Sequence, residues 1–356
     1  MVKELPMVSL FETFIKESLN GKRRKITGER IKPQTAENYK YVLKLIKEYE
    51  SYTYCQLTVK INIGNNSRLI LRERKYWRDF YRKFSDFLFH QKHYFDNYTG
   101  NVFKIIKCFF RYLRNEKFLV MPEFYESFYV RKEDIRIITL LPERFCFLIR
   151  NKNFESGLST TLRNRKDVFV FGCTTALRFS DLMNLRVRDI ELQNGNYFLY
   201  YRSLKTDTPV NVKLPAFAIS IFKRFAAHKK ASAKLFPAVC LSQFNKDIRK
   251  IARAAKWNEP IGKFRNRDGE AIEIGRGSCR LYRFCDLVTS HVMRRTGITL
   301  LLMCGMPEYL VRKISGHAAH SKSFFRYVNF AQSYITDEID KVYSKLQGLY
   351  MVGLGS

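Results

Sequence analysis

The chain has 356 residues, room for two domains of ordinary size each with its own core, and a hydrophobic content of 46% fits packed globular structure. Its 64 Lys and Arg against 33 Asp and Glu leave a formal net charge of +31 spread along the whole chain, which points to a polyanionic partner, nucleic acid ahead of a membrane surface. No apolar run approaches the roughly 20 residues that span a bilayer, and the N-terminal MVKELPMVSLFETF is too polar for a signal-peptide core, so a cytoplasmic protein without a membrane partner is expected.

In chain order, Leu10, Phe14 and Ile15 form a short amphipathic piece ahead of the basic run GKRRKITGER, which read alone is a solvated loop. From Thr35 the spacing of Ala36, Tyr39, Leu43, Ile46 and Tyr49 predicts a helix. Residues 53–72 carry Leu57, Val59, Ile61 and Ile63 and then Gly64-Asn65-Asn66, a small hairpin or loop. YWRDFYRKFSDFLFH and NVFKIIKCFFRYLRNEKFL both read as helices. In the second, Val102, Ile105, Ile106, Phe109, Phe110 and Leu113 make an apolar face, and Lys104, Lys107, Arg111 and Arg114 repeat on the other side. That stripe is either a solvated face or a DNA-binding one. His90 and His93 lack a third metal ligand. Residues 130–139 are charged and extended, and Pro142 starts a new helix, so a domain boundary is placed between 138 and 139.

The second half opens with an apolar helix, Val168 to Leu177, that ends at Arg178, with Ser180 as the expected N-cap of the short helix DLMNL. ELQNGNYFLYY and SLKTDTPVNVKLP are β-like runs around Asn194-Gly195 and Lys205-Thr206-Asp207-Thr208, which predicts a three-stranded antiparallel sheet with Lys205 at its second turn. Helical spacing returns at Ile219, Phe222, Phe225 and at Phe244, Ile248, Ile251, and residues 258–280 read as a basic loop or hairpin insertion. The eight cysteines, Cys55, Cys108, Cys146, Cys173, Cys240, Cys279, Cys285 and Cys304, form no C-x-x-C pair and sit mostly among apolar residues, so reduced, core-filling thiols are expected rather than disulfides or zinc.

The densest stretch is Thr289 to Phe330. Thr289 and Ser290 are candidate N-caps, and His291 and Arg294, three apart, share a helix face and can address one anion. Gly305 closes that helix and Met306-Pro307 opens another, which stops near Gly316 and leaves His317 just past its end. Tyr327 follows ten residues later, flanked by Phe324, Phe325 and Arg326. A last segment, ITDEIDKVYSKL, repeats Ile335, Ile339, Val342 and Leu346 at helical spacing.

ALRFSDL around Arg178, the turn lysine Lys205, His291-x-x-Arg294, Gly316-His317 and Tyr327 together resemble the tyrosine recombinases, or phage integrase family, in order and spacing. The resemblance covers essentially the whole chain. It implies a mainly α protein: a helical, SAM-like core-binding domain at residues 1–138 and a mixed α+β catalytic domain with a small antiparallel sheet at 139–356. It implies a site-specific recombinase that cuts and rejoins double-stranded DNA through a 3′-phosphotyrosine, with Tyr327 as nucleophile and Arg178 and Arg294 on the phosphoryl oxygens. Lys205 would protonate the leaving oxygen, His291 assist proton transfer, His317 hydrogen-bond the scissile phosphate and Asp181 support the site. Implied partners are four copies of the chain on DNA, exchanging C-terminal helices, with a DNA-bending accessory protein. Integrase, invertase and transposon recombinase are not separated by these residues.

The chemistry accounts for the residue types. A phenol with a pKa near 10 is a poor nucleophile toward a phosphodiester and the 5′-hydroxyl a poor leaving group, so cations must stabilise the developing charge, a task suited to forked guanidinium donors. No divalent metal, ATP or other cofactor is implied, because the phosphotyrosine ester keeps the energy of the broken bond. The His317-to-Tyr327 interval is one residue longer than the commonest family spacing, so Tyr334 is the alternative nucleophile; His320 lacks the preceding Gly. The rival from another class is a catalytically silent DNA-binding regulator of the same fold.

Overall fold

The computed structural model describes residues 2–64, 66–204, 208–275, 281–318 and 321–353. It divides into two compact units, residues 1–135 with 264–274, and residues 136–263 with 275–356.

In the first unit, strand β1 (Lys3–Pro6) leads into helix α1 (Met7–Asn20), which Gly21 ends in the left-handed conformation, φ 79°. Helix α2 (Pro33–Thr53) has its proline in the first turn, where the missing N–H costs nothing. Strand β2 (Thr58–Ile61) pairs antiparallel with β1, Lys3 opposite Ile61, so the short alternating run finds its partner at the start of the chain rather than in a local hairpin. Helix α3 (Ser67–Asp86) is capped by Asn66, whose side chain accepts from Leu69 N, and runs into a π-helical turn at Phe87–Gln91; helix α4 (Asp96–Asn115) follows.

These helices enclose an aromatic core. Trp77 stacks on Phe124 with ring centroids 4.8 Å apart and meets Phe110 edge-on, while its indole N–H donates to the buried Glu73. Such ring pairs add roughly 0.5–1.5 kcal/mol each beyond their burial. The cationic stripe of α4 is largely engaged within the unit. Lys107 Nζ donates to the carbonyls of Glu126 (2.8 Å) and Phe128 (3.3 Å), Arg111 donates twice to the Glu126 carboxylate, and Arg114 pairs with Glu123. Arg111 accordingly holds the Glu126 carboxyl below its ordinary range. Lys104 is exposed.

The second unit begins with Thr139, whose hydroxyl bonds Thr296 and Thr299, and continues through α5 (Pro142–Arg150), α6 (Lys152–Ser156) and α7 (Thr160–Thr175). Helix α8 (Phe179–Asn184) is next; its N-cap residue is Arg178, not Ser180, because the chain leaves α7 through a left-handed Ala176 (φ 52°) and re-enters helix two residues early. Strands β3 (Ile190–Gln193), β4 (Asn196–Arg202) and β5 (Pro209–Lys213) form the antiparallel sheet in sequence order, Leu199 standing opposite both Ile190 and Val212. Helices α9 (Ala216–Ala226) and α10 (Leu241–Ala254) cover the core.

Strand β6 (Pro260–Ile261) then precedes a hairpin of β7 (Phe264–Arg267) and β8 (Glu270–Glu273), turned by Asp268 and Gly269 at positive φ, and β9 (Tyr282–Arg283) pairs with β6. The hairpin belongs to the first unit although it lies late in the sequence. Arg265 donates to Glu133 Oε1 (2.9 and 2.6 Å), Asn266 N donates to Glu133 Oε2 (2.6 Å), and Gly269 N donates to Asp96 (3.1 Å). Arg265 and Arg267 also lie over the ring of Phe95, at 4.7 and 5.2 Å.

Four helices complete the second unit: α11 (Phe284–Leu287), α12 (Ser290–Met303), α13 (Glu308–Ser315) and α14 (Lys322–Gly353). Helices α7 and α12 pass close enough that a Cβ on Gly297 would lie 2.1 Å from the Cys173 carbonyl oxygen, which only glycine permits. Phe324, Tyr327, Val328 and Ala331 of α14 pack with Ile298, Leu302 and Val311. Beyond them Ile335, Ile339, Val342, Tyr343 and Leu346 are exposed. No helix among the described residues is long and apolar enough to cross a membrane. Of the described cysteines only Cys173 and Cys285 are buried, so the expected core-filling role holds for those two; Cys55, Cys146, Cys240 and Cys304 are exposed thiols.

Candidate active site

Arg178 enters the site from the start of α8, where extended backbone (φ −70°, ψ 150°) frees its side chain from the helix. Its Nη1 donates to Ser203 Oγ (3.1 Å), the Ser203 hydroxyl donates to Asp181 Oδ2 (3.0 Å), and Leu204 N donates to Asp181 Oδ1 (3.2 Å). Asp181 itself is 1% exposed. One buried carboxylate thus orients Arg178 through a hydroxyl and fixes the end of β4. Ser203 N donates to Thr208 O (2.9 Å), just ahead of β5. Lys205, the lysine expected between β4 and β5, lies outside the described residues, as does His320.

Arg294 comes from the second turn of α12 and is 5% exposed. It is held by two carbonyls that helix ends leave unsatisfied: Nη1 donates to Ala176 O (2.8 Å) and Nη2 to Ser315 O. Burial, and then the charge of nearby Arg178, pushes its pKa down to about 10, still well above neutrality. Ser315 has a second role, since its Oγ lies 2.7 Å from His317 Nδ1.

Gly316, in the left-handed conformation (φ 61°), turns the chain out of α13 and delivers His317. The imidazole meets Phe324 and Tyr327 edge-on, with centroids 5.3 and 6.0 Å away. Burial first, then Arg294, Arg178 and Arg312, push His317 down to about 4. His291, on the exposed side of the first turn of α12, is also lowered to about 4, by the surrounding protein and then by Arg295 and Arg294. Both imidazoles are therefore neutral near pH 7.

Tyr327 is 8% exposed on the first turns of α14. The chain between α13 and α14 is held by Arg312, whose guanidinium lies 4.1 Å over Phe324 and donates to Ser321 O (3.4 Å). Arg295 is half-buried beside Tyr327; burial lowers it and the tyrosine hydroxyl partly offsets that. Tyr334 is occupied elsewhere: its hydroxyl donates to Glu143 (3.1 Å), and burial and that carboxylate push it up to about 12.

Arg178, Arg294, His317 and Tyr327 thus gather in one unit, with His291 within electrostatic reach of Arg294. Two guanidiniums, neutral imidazoles and a phenol can hold a phosphodiester and attack it. Ser203, Ser315, Arg295 and Arg312 escape a sequence reading. The serines are ordinary residues until the fold places them, but the arginine doublet after Val292-Met293 and the serine preceding Gly316-His317 are local signals that could have been used. No group of three or more His, Cys, Asp or Glu that could hold a metal occurs among the described residues.

The sequence model of the phage integrase family matches residues 151–333. No curated protein matches the chain by sequence. Among solved structures, the XerH site-specific recombinase bound to palindromic difH substrate is similar over 95% of this chain and 85% of that one, at 16% identity and a TM-score of 0.55. A lambda integrase dimer bound to a COC′ core site covers 92% and 78%, at 13% identity and TM-score 0.56. The Tn1549 transposon integrase in complex with a circular intermediate DNA covers 91% and 95%, at 15% identity and TM-score 0.57. At these identities the likeness is one of fold.

Proposed function

The chain belongs to the phage integrase family, the tyrosine recombinases, and from that premise we propose that Tyr327 is the nucleophile with which it cuts and rejoins specific DNA sites. The observation that carries this reading is the gathering of Arg294, Arg178 and His317 around a buried tyrosine. In the forward step the Tyr327 oxygen bonds to the scissile phosphorus and the bond to the 5′-oxygen breaks, leaving a 3′-phosphotyrosine and a free 5′-hydroxyl.

Arg178 and Arg294 take the charge that builds on the non-bridging oxygens, with five donors each in a fixed fork. His317 hydrogen-bonds the same phosphate from the nitrogen opposite its serine contact. His291, neutral, accepts the phenolic proton, and Lys205 supplies one to the departing 5′-oxygen. A second 5′-hydroxyl then reverses the step on a new partner strand, so no ATP is consumed.

On this reading residues 1–138, with the 264–274 hairpin that joins their compact unit, are the core-binding domain and the rest of 139–356 the catalytic domain, acting together on double-stranded DNA in the cytoplasm. Four protomers exchange strands between two duplexes of a mobile element. The exposed apolar residues of α14, from Ile335 to Leu346, support exchange of this helix with a neighbouring protomer, which would cover them.

A pool of duplexes with a randomised core, nicked just 3′ of that core, tests the proposal. Cleavage lets the short 5′-hydroxyl fragment diffuse away and traps the protein covalently. An adduct formed by the wild type and lost in Tyr327→Phe supports the proposal, and sequencing the trapped DNA gives the target; DNA binding with no adduct would favour the silent regulator.

A further inference from the structure

The basic run GKRRKITGER, which the recombination chemistry leaves unused, is a built structure. Arg23, 9% exposed, points inward: its Nε donates to Glu116 (3.0 Å), its Nη1 to Ser18 Oγ (3.3 Å), and its guanidinium lies 4.5 Å over Phe14. At the other end Ile31 is buried in the same core. Between these anchors the chain folds back on itself, with Arg24 and Arg30 in an antiparallel bridge, Lys25 N donating to Glu29 O (2.9 Å) and Gly28 N to Lys25 O (2.8 Å). Gly28, φ 79°, makes the reversal, and nothing lies within 4 Å of where its Cβ would be. At the apex Ile26 is fully exposed, the most exposed large apolar side chain among the described residues.

A lone exposed isoleucine is common and by itself means little. This one tops a turn tied at both ends, in a collar of Lys22, Arg24, Lys25, Arg30 and Lys32 against a single acid, Glu29, which pairs with Lys25 at 2.6 Å. Glu126 and Glu123, by contrast, take up most of the cations on α4. Cations that fit a phosphate backbone around one apolar tip match the recognition of a DNA minor groove, where proteins insert an aliphatic wedge between base steps and kink the duplex.

We propose that the 22–30 turn is a DNA-bending element, with Ile26 inserted at a base step from the minor groove and Arg24 and Arg30 on the flanking phosphates. The proposal rests on the DNA-recombinase reading, and commits to duplex DNA as the occupant.

The test uses the full chain and a 30-base-pair duplex containing flexible T-A steps, with a donor and an acceptor dye at its ends. Wild-type protein should raise energy transfer by bending the duplex. Ile26→Ala should lose most of that rise and bind about tenfold more weakly, and Ile26→Leu should restore both, since a side chain this exposed does not hold the fold. The double substitution Arg24→Ala with Arg30→Ala should lower the slope of log affinity against log salt by about two. Bending by Ile26→Ala equal to wild type, with melting temperatures unchanged, or an unaltered salt slope in the double variant, overturns this inference and leaves the recombinase reading standing. Failure of the wild type to bind any duplex, including the randomised pool, overturns both.

Discussion

Asp181 is the residue whose replacement most sharply separates a supported active site from a merely folded one. Its carboxylate, 1% exposed, accepts from Ser203 Oγ and Leu204 N and lies 3.9 Å from Arg178. Hydrogen bonds to a charged group contribute about 1.5–3 kcal/mol each. Asp181→Asn keeps the shape and one acceptor; losing about 2 kcal/mol of Arg178 orientation from the transition state slows cleavage roughly 30-fold. Asp181→Ala removes both acceptors and should slow it by several hundred-fold or more, with a lower melting temperature. The assay is single-turnover cleavage of a nicked duplex at saturating protein, beside a gel-shift measurement in which binding changes less than about threefold, since the outer DNA contacts remain. Both variants cleaving within threefold of wild type, whatever their stability, would refute the idea that Asp181 and Ser203 position Arg178.

Gly297→Ala places a methyl 2.1 Å from the Cys173 carbonyl oxygen. It should destabilise by about 1–3 kcal/mol in urea unfolding, although alanine is the better helix former elsewhere. His317 sits near 4 against an ordinary 6.5. As pH falls through that window the unfolded chain takes up the proton first, so stability should drop between about 6.5 and 4, and the urea midpoint of His317→Gln should fall less steeply. A DNA phosphate held between Arg178 and Arg294, as proposed, would offset their charge, and the histidine should then titrate higher by NMR in the DNA complex. Glu133→Ala deprives Arg265 of a partner whose side chain is 1% exposed. Breaking such a pair costs about 3–5 kcal/mol, here toward the lower end because Arg265 is partly exposed, and limited proteolysis at residues 264–274 should accelerate.

Punctuation residues made much of the fold legible in advance. Gly305, Pro307 and Gly316 end, start and end helices as their backbone preferences require, and Asn194-Gly195 marks a real hairpin. Both signals are local, so the linear sequence carries them. What stayed hidden depends on partners far along the chain. The β-branched run at 58–61 shows no sign that Lys3–Pro6 is its mate, and residues 264–274 read as an insertion without revealing that Glu133 and Asp96 receive it.

The site divides in the same way. The three-residue interval between His291 and Arg294 puts both on neighbouring turns of α12, but it does not reveal that Arg294 is deeply buried against Ala176 and Ser315 while His291 remains exposed. Carbonyls left unsatisfied at two helix ends capture that guanidinium, and no periodicity records where helix ends meet. Similarly, the spacing of Lys107, Arg111 and Arg114 cannot disclose that Glu123 and Glu126, a few residues beyond the helix, fold back onto them.

Which phenol carries the DNA is the most direct question to ask of this protein. The trapped adduct can be digested with nuclease and then trypsin, which cuts after Arg326 and Lys341 and leaves Tyr327 and Tyr334 on one peptide. Fragmentation by tandem mass spectrometry should place the nucleotide on Tyr327; a nucleotide on Tyr334, or on any other residue, would contradict the account.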